Sequence, residues 1–167
     1  MIFRYMKKKY NKYNKKQLSN LLPIWDLSDL YPSIKSKKVT KDLDYIQKSS
    51  KIFAKKYEGN ISKLNSNQLI KAIIDLEKID EKMDKILSYS NLLVAQDNDH
   101  EQNKIFFQQM QEKITSYSSI LIFFNLELNE LDEKRLNVLL KDNKLSKYKN
   151  WIMNRRLFKP YQLKKIR

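Results

Sequence analysis

Large apolar residues recur from Phe106 to Leu128, at Phe106, Met110, Ile114, Tyr117, Leu121, Phe124 and Leu128. The steps are four, four, three, four, three and four, a period near 3.6 residues that predicts one face of an α-helix. Ile105, Phe107, Ile120, Ile122, Phe123 and Leu126 widen the stripe. The middle of this helix is therefore apolar on more than one side, which predicts several covering neighbours. It reads as the spine of a helical domain. No pair of residues along it is suited to chemistry.

The same periodicity marks the elements around the spine. Val39, Leu43, Ile46, Phe53 and Tyr57 predict a helix from about Lys37 to Glu58, with Gly59 at the position just past its end. Leu69, Ile73, Leu76, Ile79 (or Asp80), Met83, Leu87 and Leu93 predict a second from about Ser66 to Gln96, capped by Asn65 or Ser66. Glu77, Glu81 and Lys85 fall on its wet side. Asp97-Asn98-Asp99 interrupts the pattern and is expected to cap the spine, making the two long helices an αα-hairpin. A short helix starting at Asn129 or Asp132 carries Leu136, Leu139 and Leu140 and ends at Asp142-Asn143. A last helix from about Leu145 to Arg156 presents Tyr148, Trp151 and Ile152. Pro160 then biases Lys159 to an extended conformation.

Ahead of the helices, residues 22–34 form an irregular connector, expected to pack through Trp25, Leu27, Leu30 and Tyr31. Asp26, Ser28 and Asp29 read as turn formers rather than as paired acid–base carboxylates. The predicted fold is all-α, an elongated bundle built on a long αα-hairpin. Residues 1–20 are expected to form a basic, disordered tail and residues 21–163 the helical domain, with 164–167 as a truncated end.

Composition supports this picture and widens the functional question. The 167 residues fit one domain, and 41% of them are apolar, which argues against disorder. One glycine and three prolines suit long helices better than a sheet with many tight turns. With no cysteine there is no disulfide or thiolate metal site, and a cytoplasmic location is expected. No run of eighteen apolar residues exists to span a membrane, and the N-terminal lysines are followed by no signal-peptide apolar core. The net charge of +15 admits an anionic partner such as nucleic acid, with Tyr5, Tyr10 and Tyr13 interleaved among the tail's lysines. It equally fits A+T-rich codon drift, because lysines are spread along the chain while Gly, Ala and Pro are rare; the spread favours drift.

Candidate chemistry is sparse. His100-Glu101-Gln102-Asn103-Lys104 has the first half of an H-E-x-x-H zinc motif. Lys104 stands where the second imidazole would have to meet the same metal. His100 reads as a surface residue at a helix N-terminus. It is the sole histidine, so no serine has an evident base, and one glycine cannot build a phosphate loop. No catalytic, cofactor-binding or metal-ligating residue is assigned. The residues alone describe a helical interaction domain.

Several segments, in order, resemble the oligoendopeptidase F family of M3 zinc metallopeptidases. Trp25-Asp26-Leu27-Ser28-Asp29-Leu30-Tyr31-Pro32-Ser33-Ile34 resembles the family's opening signature. Phe53-Ala54-Lys55-Lys56-Tyr57-Glu58-Gly59 is similar to its F-x-x-x-Y-x-G close of the first helix, and Ser88-Tyr89-Ser90 to Ala95 to its SYA-LL-A segment. Phe123-Phe124-Asn125-Leu126-Glu127-Leu128-Asn129 resembles FFxLELN, and Tyr148 to Tyr161 resembles the run Y-x-x-W-(I/L)…R-x-F-(K/R)-P-(H/Y). Each is weak alone; their order and spacing across about residues 22–163 make the resemblance.

The resemblance implies a mostly helical cytosolic enzyme that cleaves short peptides inside a channel. This portion would form the cap that restricts the channel to oligopeptides and would supply no zinc ligand. The zinc and its H-E-x-x-H helix belong to the family's catalytic domain, which has no counterpart in this sequence. The chain alone is expected to be inactive. Where the family continues into an acidic helix, this sequence reads Lys164-Lys165-Ile166-Arg167, so a truncated or split gene is expected. A separately encoded catalytic half is then one partner. Trp151, Phe158 and Tyr161 are candidates for the surface it would cover, or else belong to the bundle core. The alternative is a small basic helical protein that binds nucleic acid or another partner.

Overall fold

The computed structural model describes residues 25–162. The basic tail of residues 1–20, the start of the connector at 21–24 and the C-terminal residues 163–167 lie outside these. The fold is all-α: α1 (Lys37–Tyr57), α2 (Ser66–Gln96), α3 (Glu101–Glu130), α4 (Glu133–Leu139) and α5 (Lys149–Arg156). Short 3₁₀ turns lie at Ile61–Lys63, Leu145–Tyr148 and Lys159–Tyr161. No strand is present among the described residues, and no helix among them is long and apolar enough to cross a membrane.

The hairpin of α2 and α3 is the frame. At 1.5 Å per residue, the 31 residues of α2 run about 45 Å. Asn65 starts the helix with a full capping box: its side chain accepts from Gln68 N, and Gln68 reaches back to Asn65 N. α1 packs against both long helices and closes a three-helix core. Val39, Leu43, Ile46, Phe53 and Tyr57 are all buried, as their spacing predicts. Gly59 adopts φ 74° just past the end of α1, a backbone conformation that side chains with a Cβ resist.

Five expectations need correcting. The N-cap position of the spine is held by exposed His100, not by an aspartate, and Asp97 turns the loop by accepting from Asp99 N at 3.0 Å. Asn129 does not start the short helix but closes α3, and Asp132 caps α4 by accepting from Arg135 N at 2.7 Å. The last helix begins as a 3₁₀ turn, started by the Asp142 carboxylate on the N–H groups of Lys144 and Leu145; Tyr148, at φ −90° and ψ 1°, separates it from α5. Lys159 is not extended, because Pro160 sits in the first turn of a 3₁₀ segment, where its missing N–H is not needed. Trp25 is 49% exposed, so the connector packs through Tyr31, Leu27 and Leu30 instead. In that connector Asp26 accepts from Ser28 N at 2.9 Å, a turn as expected.

Two aspartates show how charge is handled in this core. Asp42 of α1 accepts from Tyr31 Oη at 2.8 Å and Lys82 Nζ at 2.5 Å. Burial alone would raise its pKa, but these hydrogen bonds and the charges of Lys82 and Lys85 hold it below the usual value. Asp80 of α2 is shifted the other way: burial, aided by Asp84 and Glu77, outweighs the attraction of Arg155 and raises it. The signs therefore oppose. Asp42 stabilises the fold above the unfolded carboxylate pKa and stops doing so as pH falls through its lowered folded value. Ionised Asp80 disfavours folding as pH rises above the unfolded value. Asp42→Asn is expected to lose about 1–2 kcal/mol at pH 7, and Asp80→Asn to gain about 0.5 kcal/mol. Both differences should shrink toward zero in urea titrations at pH 3 or below, past the ordinary aspartate range.

Candidate functional site

The segments singled out in the sequence meet in space. Tyr31 packs edge-on against Tyr89, with ring centroids 5.2 Å apart, joining the connector to the Ser88–Ala95 segment. At the other end of the bundle, Phe53 of α1 contacts Phe123 and Phe124 of α3 at 5.8 and 5.6 Å. Phe124 in turn meets Trp151 of α5 at 6.5 Å. Glu127 reaches from α3 to the loop after α1, where its carboxylate accepts from Gly59 N at 2.6 Å and Ile61 N at 3.2 Å. A carboxylate bonded to backbone N–H groups is a strong, charge-assisted tie.

Arg156 completes this end. It is 7% exposed. Its Nη1 donates to the carbonyls of Leu128 at 2.8 Å and Asn129 at 3.2 Å; its Nη2 donates to the carbonyl of Leu131 at 2.8 Å and to Glu133 Oε1 at 2.6 Å. The last carbonyls of a helix lack intrahelical partners, and one guanidinium supplies them here. The sequence held a signal for this: Tyr148, Ile152 and Arg156 recur every fourth residue, so Arg156 stands in register with the buried face.

Beside this framework several large apolar side chains lie at the surface. Helices α1, α2 and α5 all pack on the spine, as its wide stripe predicts, but Ile122 and Leu126 of α3 stay exposed. Phe158 and Tyr161 are 69% and 84% exposed, so neither belongs to the core, while Trp151 is half-buried against it. Two recesses flank this surface. A groove of about 500 Å³ runs past Gly59, Ile122, Phe123 and Glu130. A wide cleft of about 660 Å³ lies between the end of α3 and α5. Arg155 lines the cleft with its guanidinium 4.1 Å from the centre of the Trp151 ring. Burial pushes its pKa down, partly offset by the charge of Asp80. The cleft's amides and Arg155 were not foreseen, because they belong to elements distant in the chain.

The half-motif residues do not assemble a metal centre. His100, Glu101 and Lys104 are exposed at the start of α3. Among the described residues no group of three or more His, Cys, Asp or Glu side chains is placed to hold a metal ion. These residues do not fit zinc. No known protein family, no curated protein and no solved structure matches this chain.

Proposed function

We propose that this chain is the non-catalytic, channel-capping portion of an oligoendopeptidase F-like zinc metallopeptidase that hydrolyses short peptides. The observation that carries the reading is the way the resembling segments are used. Tyr31, Tyr89, Phe53, Gly59, Phe124, Glu127 and Arg156 are spent on packing and capping. Residues that build a framework suit a cap whose chemistry resides elsewhere. The exposed apolar surface at Ile122, Leu126, Phe158 and Tyr161 supports it further, since a contiguous patch of this kind marks an interaction surface. Its partner in this reading is the H-E-x-x-H catalytic portion, which would hold the zinc and supply the hydrolytic chemistry.

The test mixes the purified chain with a separately produced catalytic portion of an oligoendopeptidase F and follows zinc-dependent cleavage of a quenched fluorescent peptide. The chain alone should not cleave. The mixture should co-elute in gel filtration and cleave faster than the catalytic portion alone. Ile122→Lys, which places a charge on the exposed patch without touching the core, should weaken that gain at least tenfold. Zinc-dependent cleavage by the pure chain, or a mixture that neither associates nor gains activity, would overturn the reading.

A further inference from the structure

The cleft between α3 and α5 holds polar groups whose hydrogen bonds are not all made. Arg155 has five N–H donors, yet its guanidinium makes one hydrogen bond, from Nη1 to Asn125 Oδ1 at 3.0 Å. Its Nε is buried without a partner, and no carboxylate lies within ion-pairing distance of it among the described residues. Asn129, 6% exposed, donates its Nδ2 to Gln162 at 3.1 Å and leaves its Oδ1 unpartnered. Unmet buried polar groups are costly unless something pairs them. Asn125 and Asn129 stand one helical turn apart, about 6 Å. The apolar wall beside them is Trp151 and Phe158.

These features specify a ligand. An unpaired guanidinium calls for an anionic acceptor, and a carboxylate matches its fork. An apolar wall calls for an apolar side chain, and the volume is that of a small-ligand site. We propose that this cleft binds a carboxylate flanked by an apolar side chain, of the kind an N-acylated amino acid presents, either free or as the last residue of a peptide. The carboxylate pairs with Arg155, and the side chain lies against Trp151 and Phe158. Asp80 is near enough to attract Arg155 but does not pair with it, so the guanidinium stays available. The inference rests on the cleft's own groups and would stand without the peptidase reading; Ile122 lies outside the cleft, so the two tests fail independently.

The chain has two tryptophans, Trp25 and Trp151. In a full-length Trp25→Phe background, the emission of Trp151 reports on the cleft alone. The probes are N-acetyl-leucine, its carboxamide, and a tetrapeptide ending in leucine with a free carboxylate. A saturable change is expected with both acids, at least tenfold tighter than with the carboxamide. Arg155→Gln should weaken the acids at least tenfold and leave the carboxamide unchanged. Tyr161→Ala, at the exposed rim, should weaken all three probes a few-fold without disturbing the fold. A tighter tetrapeptide would identify a peptide terminus as the ligand, and equal acids a free carboxylate; both support the site. Equal binding of acid and carboxamide, or no saturation up to about 10 mM, would overturn it.

Discussion

Arg156→Met is expected to lower the unfolding free energy by about 3–5 kcal/mol, because it strips the donors from several buried backbone carbonyls at once. Arg156 serves three backbone carbonyls, those of Leu128, Asn129 and Leu131, and only one carboxylate. Removing the guanidinium leaves those carbonyls without its donors at the junction of α3 and α4, and unsatisfied buried groups cost about 1–3 kcal/mol each. Methionine keeps much of the volume, so the loss reports the hydrogen bonds rather than a cavity. The carboxylate contributes less: Glu133 has 67% of its side chain exposed, and Glu133→Gln should change stability by under about 1 kcal/mol. Lysine should not rescue, because a single ammonium cannot span carbonyls on both sides of the junction. Urea unfolding followed by circular dichroism gives all three values. A loss below about 1 kcal/mol for Arg156→Met would show that water meets these carbonyls equally well.

Helices α1 and α2 were legible because each buries one regular stripe, and a regular stripe is a local signal. Both ends of α2 and the start of α1 fall where the caps and the stripes predict. The C-terminal third was harder to read. There the chain turns through two 3₁₀ segments and two short helices, whose boundaries depend on contacts between distant residues. Ser66 Oγ donates to the carbonyl of Leu139 at 3.1 Å, and Arg135 Nη2 to that of Leu64 at 2.9 Å. No window of sequence contains both partners. The same holds for the cleft, whose amides on α3 and arginine on α5 are thirty residues apart at the Asn125–Arg155 bond. Phe158 and Tyr161 could be weighed only as core or as surface, since three residues give no period to tell the two apart.

The width of the apolar stripe on α3 carries the second large effect. Phe124 is fully buried, where it touches Phe53 of α1 and Trp151 of α5 and so joins three helices through one ring. Ile122, two residues away, is 53% exposed. Hydropathy treats the two alike; their surroundings do not. Phe124→Ala is expected to lose about 3–5 kcal/mol, because the cavity it leaves is walled by aromatic rings that cannot all collapse inward. Ile122→Ala should stay within about 0.5 kcal/mol. The contrast measures how the spine is used, with one face committed to holding the bundle together and Ile122 and Leu126 left at the surface. Should Ile122→Ala lose as much as Phe124→Ala, the second face would be covered in the free protein. Sedimentation of the wild-type chain would then show self-association, and the apolar surface would belong to a dimer rather than to a catalytic partner.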